Sequence, residues 1–229
     1  TNESLEEAQA FADFQQLLSR LYPHLTETCR REILGRRGML YHWKGKSDQQ
    51  PSVLMAHYDV VPVAEAEWQE PPFAGVVKDG QLWGRGTLDT KGTLHGIVEA
   101  AELLISQGFV PENDVYFAFG GDEEIFGGDA PAIVEELKKR GIHPAFVLDE
   151  GGAIVNNVFP GVSKSAALIG TAEKGAVCVD LAAAGKGGHA SAPGRKQTLG
   201  TLGRALYRIE RHAMPFTLTP PAREMFDIL

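Results

Sequence analysis

Apolar residues recur at intervals of three and four along the first segment of the chain. They are Leu5, Ala8, Phe11, Phe14, Leu18 and Leu21. This period predicts an amphipathic helix whose apolar face packs on a sheet. The helix should end before Pro23, because proline cannot donate the backbone hydrogen bond that a helix interior needs.

Short apolar or alternating runs follow, each bounded by Gly, Pro, Asn or Asp, and they predict strands. They lie at Met39–Trp43, Val53–Ala56, Gln81–Trp83, Val115–Phe119 and Ala145–Leu148. Between the later runs lie helical patterns at about residues 93–107 and 130–140, closed by Gly108 and Gly141. Strands that alternate with helices predict an α/β domain with a largely parallel mixed sheet.

The pattern changes near Thr171, where a second domain is predicted to begin. Residues 177–184 alternate like a strand, residues 185–188 interrupt it, and residues 198–212 follow a helical pattern. The segment 215–221 is rich in turn residues. We therefore expect one domain at 1–171 and another at 172–229. The second has too few elements to bury its own faces, so we expect it to be incomplete.

Composition narrows the classes of function. A chain of 229 residues that is 43% hydrophobic can bury a full core. Its formal net charge of −8 argues against a nucleic-acid partner, because phosphate binding needs clustered Lys and Arg. We expect the two cysteines, Cys29 and Cys178, to be buried apolar side chains rather than a disulfide framework.

Localisation stays open between cytoplasmic and extracytoplasmic. No apolar run approaches the ~20 residues that cross a bilayer, and residues 1–9 lack the basic and apolar regions of a signal peptide. The first residue is not Met, however, so an upstream anchor or signal could have been removed.

The first candidate for chemistry is the His57-Tyr58-Asp59 sequence at the end of a predicted strand. Residues two apart in a strand point the same way, so Asp59 can accept a hydrogen bond from one imidazole nitrogen while the other binds a metal. Alone, the pair is weak evidence, and it more often indicates a surface histidine beside a carboxylate.

The second candidate is Asp89, in the glycine-rich segment Gly84–Gly92 between a strand and a helix. The segment contains Gly84-x-Gly86, but it lacks the third glycine of a dinucleotide site and the Gly-Lys-Ser/Thr of a phosphate loop, so nucleotide binding is disfavoured. The glycines would instead let the backbone bend so that Asp89 projects beyond the strand ends. A cap or turn role for Asp89 remains the alternative.

Two further strands end in acids followed by glycines, at Asp122–Glu124 and at Asp149–Glu150. Adjacent carboxylates repel each other, and their burial is costly unless cations compensate. Either run alone could be a solvated acidic turn. Together with His57 and Asp89 they supply four strand ends, and ligands bind at the carboxyl ends of parallel strands. Imidazole and carboxylates without thiolate suit Zn²⁺, with Co²⁺ or Mn²⁺ as substitutes, and a bridging carboxylate would hold two ions ~3.5 to 4 Å apart.

These motifs resemble the zinc peptidase family that contains carboxypeptidase S, aminoacylase, ArgE and DapE. The matching segments are His57–Pro62, Trp68–Phe73, Gly84–Gly92, Asp122–Glu124, Leu148–Gly151 and Gly187–Pro193. Trp68, Pro71–Phe73, Asp149–Gly152 and Glu173–Gly175 are most similar to the branch of carboxypeptidase S and the N-fatty-acyl-amino-acid hydrolases. The resemblance implies a three-layer catalytic domain, followed at 172–229 by part of an α+β lid or dimerisation domain.

The resemblance also implies roles for single residues. His57 and Glu150 would bind one zinc ion, Glu124 would bind a second, and Asp89 would bridge them. Asp59 would orient His57. Glu123 would be the general base, acting on a zinc-bound water or hydroxide that attacks an amide. A cis peptide is expected after the bridging aspartate, at Asp89-Thr90.

His189 is expected to act outside its own subunit. In relatives, the histidine of this glycine-rich motif reaches the active site of the partner in a homodimer, where it would stabilise the oxyanion. Without the resemblance, His189 would be a loop histidine. Relatives supply the last ligand of the second zinc from a histidine near their carboxyl end. No such segment precedes Leu229, and His212 is expected to be a surface residue.

The leading functional prediction is a two-zinc metallohydrolase that cleaves peptides as a carboxypeptidase or dipeptidase. The first alternative is an N-acyl amino acid amidohydrolase of the aminoacylase type. The second is an inactive fragment that binds one metal ion and serves as an interaction domain. A nucleotide-binding module would depend on Gly84-x-Gly86 alone.

Overall fold

The computed structural model describes residues 5–173, 175, 177–189, 191, 192 and 194–228. The chain divides into two compact units, one ending at Glu150 and the other beginning at Gly151. The boundary predicted between residues 171 and 172 remains a prediction about domains. Among the described helices, none has the length and apolar character needed to cross a membrane.

The first unit contains four helices and seven strands in its described part. In chain order they are α1 (Leu5–Leu21), α2 (Pro23–Thr28), β1 (Arg30–Leu34), β2 (Gly38–Trp43), β3 (Ser47–His57), β4 (Val76–Lys78), β5 (Gln81–Trp83), α3 (Lys91–Ser106), β6 (Asn113–Gly120), α4 (Asp129–Lys139) and β7 (Phe146–Leu148). The second unit contributes β8 (Ala153–Val155), β9 (Ala166–Leu168), α5 (Thr198–Arg211) and α6 (Pro220–Ile228).

Five strands of the first unit form one sheet in the order β1-β2-β6-β3-β7. β3 runs parallel to both of its neighbours, β6 and β7. β2 is antiparallel to β1 and β6, so four of these five strands share one direction. This arrangement confirms the predicted α/β fold with a largely parallel mixed sheet.

Helices cover both faces of this sheet, and the alternation of buried side chains along the strands explains why. On one face, Tyr41, Phe117 and Phe119 pack with residues of α1, α2 and α3. On the other face, Leu40 and Tyr116 pack with residues of α4. Successive strand residues point to opposite faces, so strands that are apolar at every position need a helical layer on each side. The three-layer prediction is confirmed.

The predicted elements of the first unit are all present. The first helix ends at Leu21, and the two helices between the strands end near Gly108 and Gly141. Both glycines have positive φ, at +77° and +68°, as glycine residues that end helices often do. β1, β4 and α2 were not predicted from the sequence. Pro23 was interpreted only as a stop, but it also occupies the first turn of α2, where proline is tolerated.

Two predictions for the second unit were wrong. Residues 177–184 form no strand, and Val177 and Val179 are 83% and 71% exposed. Alternation alone is insufficient, because a strand also needs a partner backbone, and in the described part of this unit β8 and β9 pair only with each other. Cys178 lies in the same segment and is exposed, whereas Cys29 is buried as expected. The last two residues of the turn-rich segment 215–221 belong to helix α6, which begins at Pro220.

A buried carboxylate joins the amino end of β6 to the end of β2. Asp114 accepts hydrogen bonds from the backbone N–H of Gly45 (2.8 Å), from His42 Nε2 (2.6 Å) and from Lys44 Nζ (3.3 Å). Burial would raise the pKa of Asp114, but these three donors outweigh it and lower the pKa below its usual value. The ionised carboxylate is therefore part of the folded structure.

Asp114→Asn should lower the free energy of unfolding at pH 7 by about 1 to 3 kcal/mol, because the amide replaces one acceptor oxygen with a donor group. A carboxyl whose pKa is lowered on folding stabilises the protein above its unfolded pKa, about 3.9, and that stabilisation is lost as the pH falls through the folded pKa. The difference between wild type and variant should therefore shrink below about pH 4. Urea unfolding of both proteins at pH 3 to 7 measures this difference in the free energy of unfolding. The exposed Asp48→Asn is the control, and a gap that stays constant with pH would contradict the prediction.

Candidate metal centre

The carboxyl ends of three neighbouring parallel strands meet at one edge of the sheet. His57 is the last residue of β3 and lies opposite Gly120, the last residue of β6. Leu148 ends β7 and pairs with β3 on the other side. The loops that carry Asp122–Glu124 and Asp149–Glu150 therefore leave the sheet on either side of His57.

Three carboxylates converge on one nitrogen of His57. The imidazole is buried, with 2% of its residue surface exposed. Its Nε2 atom lies 2.9 Å from Asp89 Oδ1, 3.2 Å from Glu150 Oε2 and 3.9 Å from Glu123 Oε2. Asp89 and Glu123 are open to solvent, with 68% and 51% of their side-chain surface exposed. The cluster is thus closed on the histidine side and accessible on the carboxylate side.

Asp59 contacts the other nitrogen of the same ring. His57 Nδ1 lies 3.2 Å from the Asp59 carbonyl oxygen and 3.3 Å from its Oδ1. The second carboxylate oxygen, Oδ2, accepts the backbone N–H of Glu124 at 3.0 Å. A proton held on Nδ1 leaves Nε2 as a lone-pair donor, which is the tautomer that a metal ligand needs. The orienting role of the Asp59 carboxylate stays a prediction, because the hydrogen bond of Nδ1 is to the backbone carbonyl oxygen of Asp59 and Oδ1 makes none.

The electrostatics of this cluster of carboxylates favour the binding of a cation. Burial would lower the pKa of His57, but the hydrogen bond to Asp89 and the charges of Glu150, Asp59 and Glu123 raise it. Burial raises the pKa of both Glu123 and Glu150, and although His57 opposes the rise, neighbouring carboxylates add to it. Two buried oxygens, Asp59 Oδ1 and Glu150 Oε2, face ring nitrogens of His57 but make no hydrogen bond with any described residue. A cation would relieve both the repulsion and the missing partners.

Two overlapping sets of side chains could hold a metal ion, one formed by His57, Asp89 and Glu124 and the other by His57, Glu123 and Glu150. Within each set the potential ligand atoms lie within 4.8 Å of one another. Ligands 2.0 to 2.1 Å from a tetrahedral zinc would be roughly 3.3 Å apart, close to the separations around Nε2.

All four predicted ligands thus belong to these sets, together with the predicted base Glu123. The sets group the residues differently from the prediction, because Glu123 accompanies His57 and Glu150 while Glu124 accompanies Asp89. The individual roles therefore stay predictions. Asp149 belongs to neither set, and its Oδ1 accepts the backbone N–H of Glu150 at 2.9 Å.

The glycine-rich segment delivers Asp89 through a tightly folded turn. Gly86 has φ +86°, and a Cβ atom there would collide with the side chain of Lys91. Only glycine fits this backbone path. The Asp89-Thr90 peptide is cis, as the resemblance implied, and the following helix α3 begins at Lys91.

Residues 121–128, between β6 and α4, form what we call the acid loop. Two aspartates hold this loop in place, and that structural role was not identified from the sequence. Asp122 had been included among the candidate acids, but its carboxylate accepts the N–H groups of Gly128 (2.8 Å) and Asp129 (3.1 Å) at the start of α4. Asp129 is fully buried and accepts three further backbone N–H groups. For Asp122 the available signal was its position shortly before the predicted start of a helix, where carboxylates satisfy free N–H groups.

His189 lies in the second unit and is exposed. Its Nδ1 lies 2.7 Å from Ser191 Oγ and accepts the backbone N–H of Ser191 at 3.3 Å. Lys174, Ala190 and Pro193, which belong to the matching motifs, lie outside the described residues. His212 follows the last residue of α5 and is exposed, as expected.

Comparisons of the sequence with known proteins agree on one family. The model of "Peptidase family M20/M25/M40" matches residues 53–228. An N-fatty-acyl-amino acid synthase/hydrolase, PM20D1 of Xenopus tropicalis, is 37% identical over all of this chain and 46% of its own length. A probable carboxypeptidase S-like 2 of Dictyostelium discoideum is 37% identical over 96% of this chain and 43% of its own length. The chain thus spans about half the length of the curated relatives it matches.

Solved structures share the fold. Human carnosine dipeptidase 1 superimposes with a TM-score of 0.52 at 17% identity, over 66% of this chain and 34% of its own. The M20 metallo-carboxypeptidase Sso-CP2 of Sulfolobus solfataricus gives 0.51 at 21% identity, over 62% of this chain and 33% of its own. At these identities the likeness concerns the arrangement of helices and strands.

Zinc should stabilise the folded chain through His57. At a free Zn²⁺ concentration 100 times its dissociation constant, the free energy of unfolding should rise by about 2.7 kcal/mol. His57→Ala should remove most of this gain, whereas replacement of the exposed His143 by Ala should leave it intact. Thermal unfolding with and without Zn²⁺, combined with metal analysis of the dialysed protein, measures both. An equal gain in wild type and His57→Ala would show that zinc binds elsewhere.

Proposed function

This chain belongs to peptidase family M20/M25/M40, and on that premise we propose that it carries most of the two-zinc centre of an amide hydrolase. The observation that supports the proposal most strongly is the convergence of Asp89, Glu150 and Glu123 on Nε2 of the buried His57. A carboxylate cluster of this density, with orphaned buried oxygens, fits a site built for cations.

In the proposed centre, His57 and Glu150 would hold one zinc ion, Glu124 would hold a second, and Asp89 would be shared between the two. Co²⁺ or Mn²⁺ could replace zinc, since imidazole and carboxylate ligands suit all three ions. When bound, such ions polarise the scissile carbonyl and lower the pKa of water.

Glu123 is the proposed general base and acid. Its carboxylate lies 3.9 Å from His57 Nε2 and is half-exposed, so water and substrate can reach it. It takes a proton from the attacking water as the new C–O bond forms. It then gives that proton to the amide nitrogen as the C–N bond breaks, so that a carboxylic acid and an amine leave.

His189 is the proposed oxyanion donor, acting in the site of a partner subunit of a full-length homodimer. Its Nδ1 accepts the N–H of Ser191, so the neutral ring carries its proton on Nε2 and can donate from there. A donor aimed at the developing oxyanion is worth about 3 to 4 kcal/mol in comparable sites.

Glu123→Gln should reduce kcat by about 10² to 10⁴-fold, because the amide cannot shuttle the proton. Zinc content should stay at the wild-type level if Glu123 is the base and not a ligand. Amide hydrolysis and metal content are measured on this chain and on any longer protein that contains it.

The matched control is Glu135→Gln, which changes an exposed glutamate on α4. It should leave both turnover and zinc content unchanged. Loss of zinc in Glu123→Gln would make Glu123 a ligand, as the set with His57 and Glu150 would allow. Full turnover in that variant would remove Glu123 from the mechanism.

Two substrate classes share this chemistry. Cleavage of peptides is the first candidate, and the name of the carboxypeptidase S-like relative supports it. Cleavage of N-acyl amino acids is the second, favoured by the synthase/hydrolase relative that matches the entire chain. Rates on a panel of dipeptides and N-acyl amino acids of increasing chain length separate them. A protein that binds one zinc ion or none and cleaves nothing on the panel would support an interaction domain instead.

A further inference from the structure

The turn between β1 and β2, residues 35–37, is hydrogen-bonded to Asp129, which holds the acid loop, and to Tyr58, which follows His57 in sequence. We propose that Asp129 and Tyr58 are positioning residues that use this turn as a common anchor, so that the acid loop and His57 keep a fixed separation. The inference rests on the proposed function, because it explains how the ligands of that centre are held in place.

Asp129 connects the turn to the acid loop. Its Oδ1 accepts the backbone N–H groups of Arg36 (2.7 Å) and Arg37 (3.1 Å), and its Oδ2 accepts that of Gly121 (3.1 Å). The side chain is fully buried, so water does not compete for these bonds. Asp122 closes the same loop by accepting N–H groups at the start of α4. Glu123 and Glu124 thus lie in a loop that two carboxylates hold on either side.

Tyr58 connects the same turn to the histidine side. It lies between His57 and Asp59, and its hydroxyl donates to the carbonyl oxygen of Arg37 at 2.6 Å. Gln15 on α1 donates to the Tyr58 oxygen at 2.9 Å, so the hydroxyl is held from two sides. The ring itself is packed against two phenylalanines of α1, with centroid distances of 5.2 and 5.4 Å.

Glycines permit the close approach on which both connections depend. A Cβ atom on Gly35 would lie 2.6 Å from Asp129 Oδ1, and one on Gly121 would lie 3.0 Å from Tyr58 Cζ. Either distance is shorter than ordinary van der Waals contact. The Arg37 side chain lies as close to Gly121 as the Tyr58 ring does, at 2.9 Å from such a Cβ atom, so the loop packs directly on both side chains.

The acid loop and the segment that carries His57 are also joined directly, because the Asp59 carboxylate accepts the backbone N–H of Glu124 at 3.0 Å. Asp59 also contacts His57 Nδ1, so a displacement of the acid loop would be transmitted to the ring that carries the ligand nitrogen. Loss of the Asp129 anchor should then loosen the ligands without changing any ligand residue.

Asp129→Asn tests this, because the amide cannot accept from Arg36, Arg37 and Gly121 together. We expect its Zn²⁺ dissociation constant, measured by chelator competition on the 229-residue chain, to rise about tenfold. The matched control is Asp114→Asn, which also alters a buried aspartate that accepts a backbone N–H, but at the opposite end of β6. It should lower the melting temperature similarly and leave zinc affinity unchanged.

Tyr58→Phe provides a second variant if Asp129→Asn fails to fold, because it removes one hydroxyl and keeps the ring. Zinc affinity should fall in this variant too. The proposal is overturned if the folded variants bind zinc as tightly as Asp114→Asn does, or if all three lose affinity in proportion to lost stability.

Hydrogen exchange of the Glu124 amide in metal-free protein separates this inference from the proposed function. Asp129→Asn should accelerate that exchange and Asp114→Asn should not. A wild-type chain that binds no zinc would refute the proposed function, and the exchange rates would still decide the positioning role. An unchanged exchange rate of the Glu124 amide in Asp129→Asn would overturn the proposed positioning role.

Discussion

The contact between the buried imidazole of His57 and the carboxylates around it is the constraint on which the site depends. Acidic side chains at this distance repel each other, and burial raises the pKa of Glu123 and Glu150. Among the described residues, the imidazole of His57 opposes this rise in both carboxyl groups without reversing it. The fold therefore has to hold these residues together against their mutual repulsion, and the sheet and its helices provide that support.

The support comes from rigid elements rather than from the acidic residues themselves. β3 and β6 are paired along their length and covered on both faces by apolar side chains, which fixes where His57 and Gly120 end. Backbone N–H groups then fix the loops beyond the strand ends, through the carboxylates of Asp122 and Asp129. Carboxylates thus have two roles in this site. Some face His57, and others accept the backbone N–H groups that hold the loops in place.

Much of this arrangement could be predicted from the sequence because it follows local rules. Strands that end in His57 and in Glu123-Glu124 identified the edge of the sheet where the site lies, and the glycine-rich segment identified Asp89. Asp129 was missed because its partners, Arg36 and Arg37, are about 90 residues away, and no local pattern indicates such a contact. Residues 177–184 were assigned to a strand wrongly for a related reason: alternation describes a face, whereas pairing requires a neighbour.

The position of β6 has a consequence for how the chain acquires its site during synthesis. β6 lies between β2 and β3, although it follows both in sequence. A nascent chain that has emerged only through α3 contains His57 at the end of a strand, β3, whose two neighbours β6 and β7 are both still missing, and it lacks the acid loop altogether. Such edges invite pairing with other chains, and contacts distant in sequence form slowly. Pairing with β6 and β7 therefore covers both edges of β3 and brings the acids to His57, so the ability to bind metal appears late in folding.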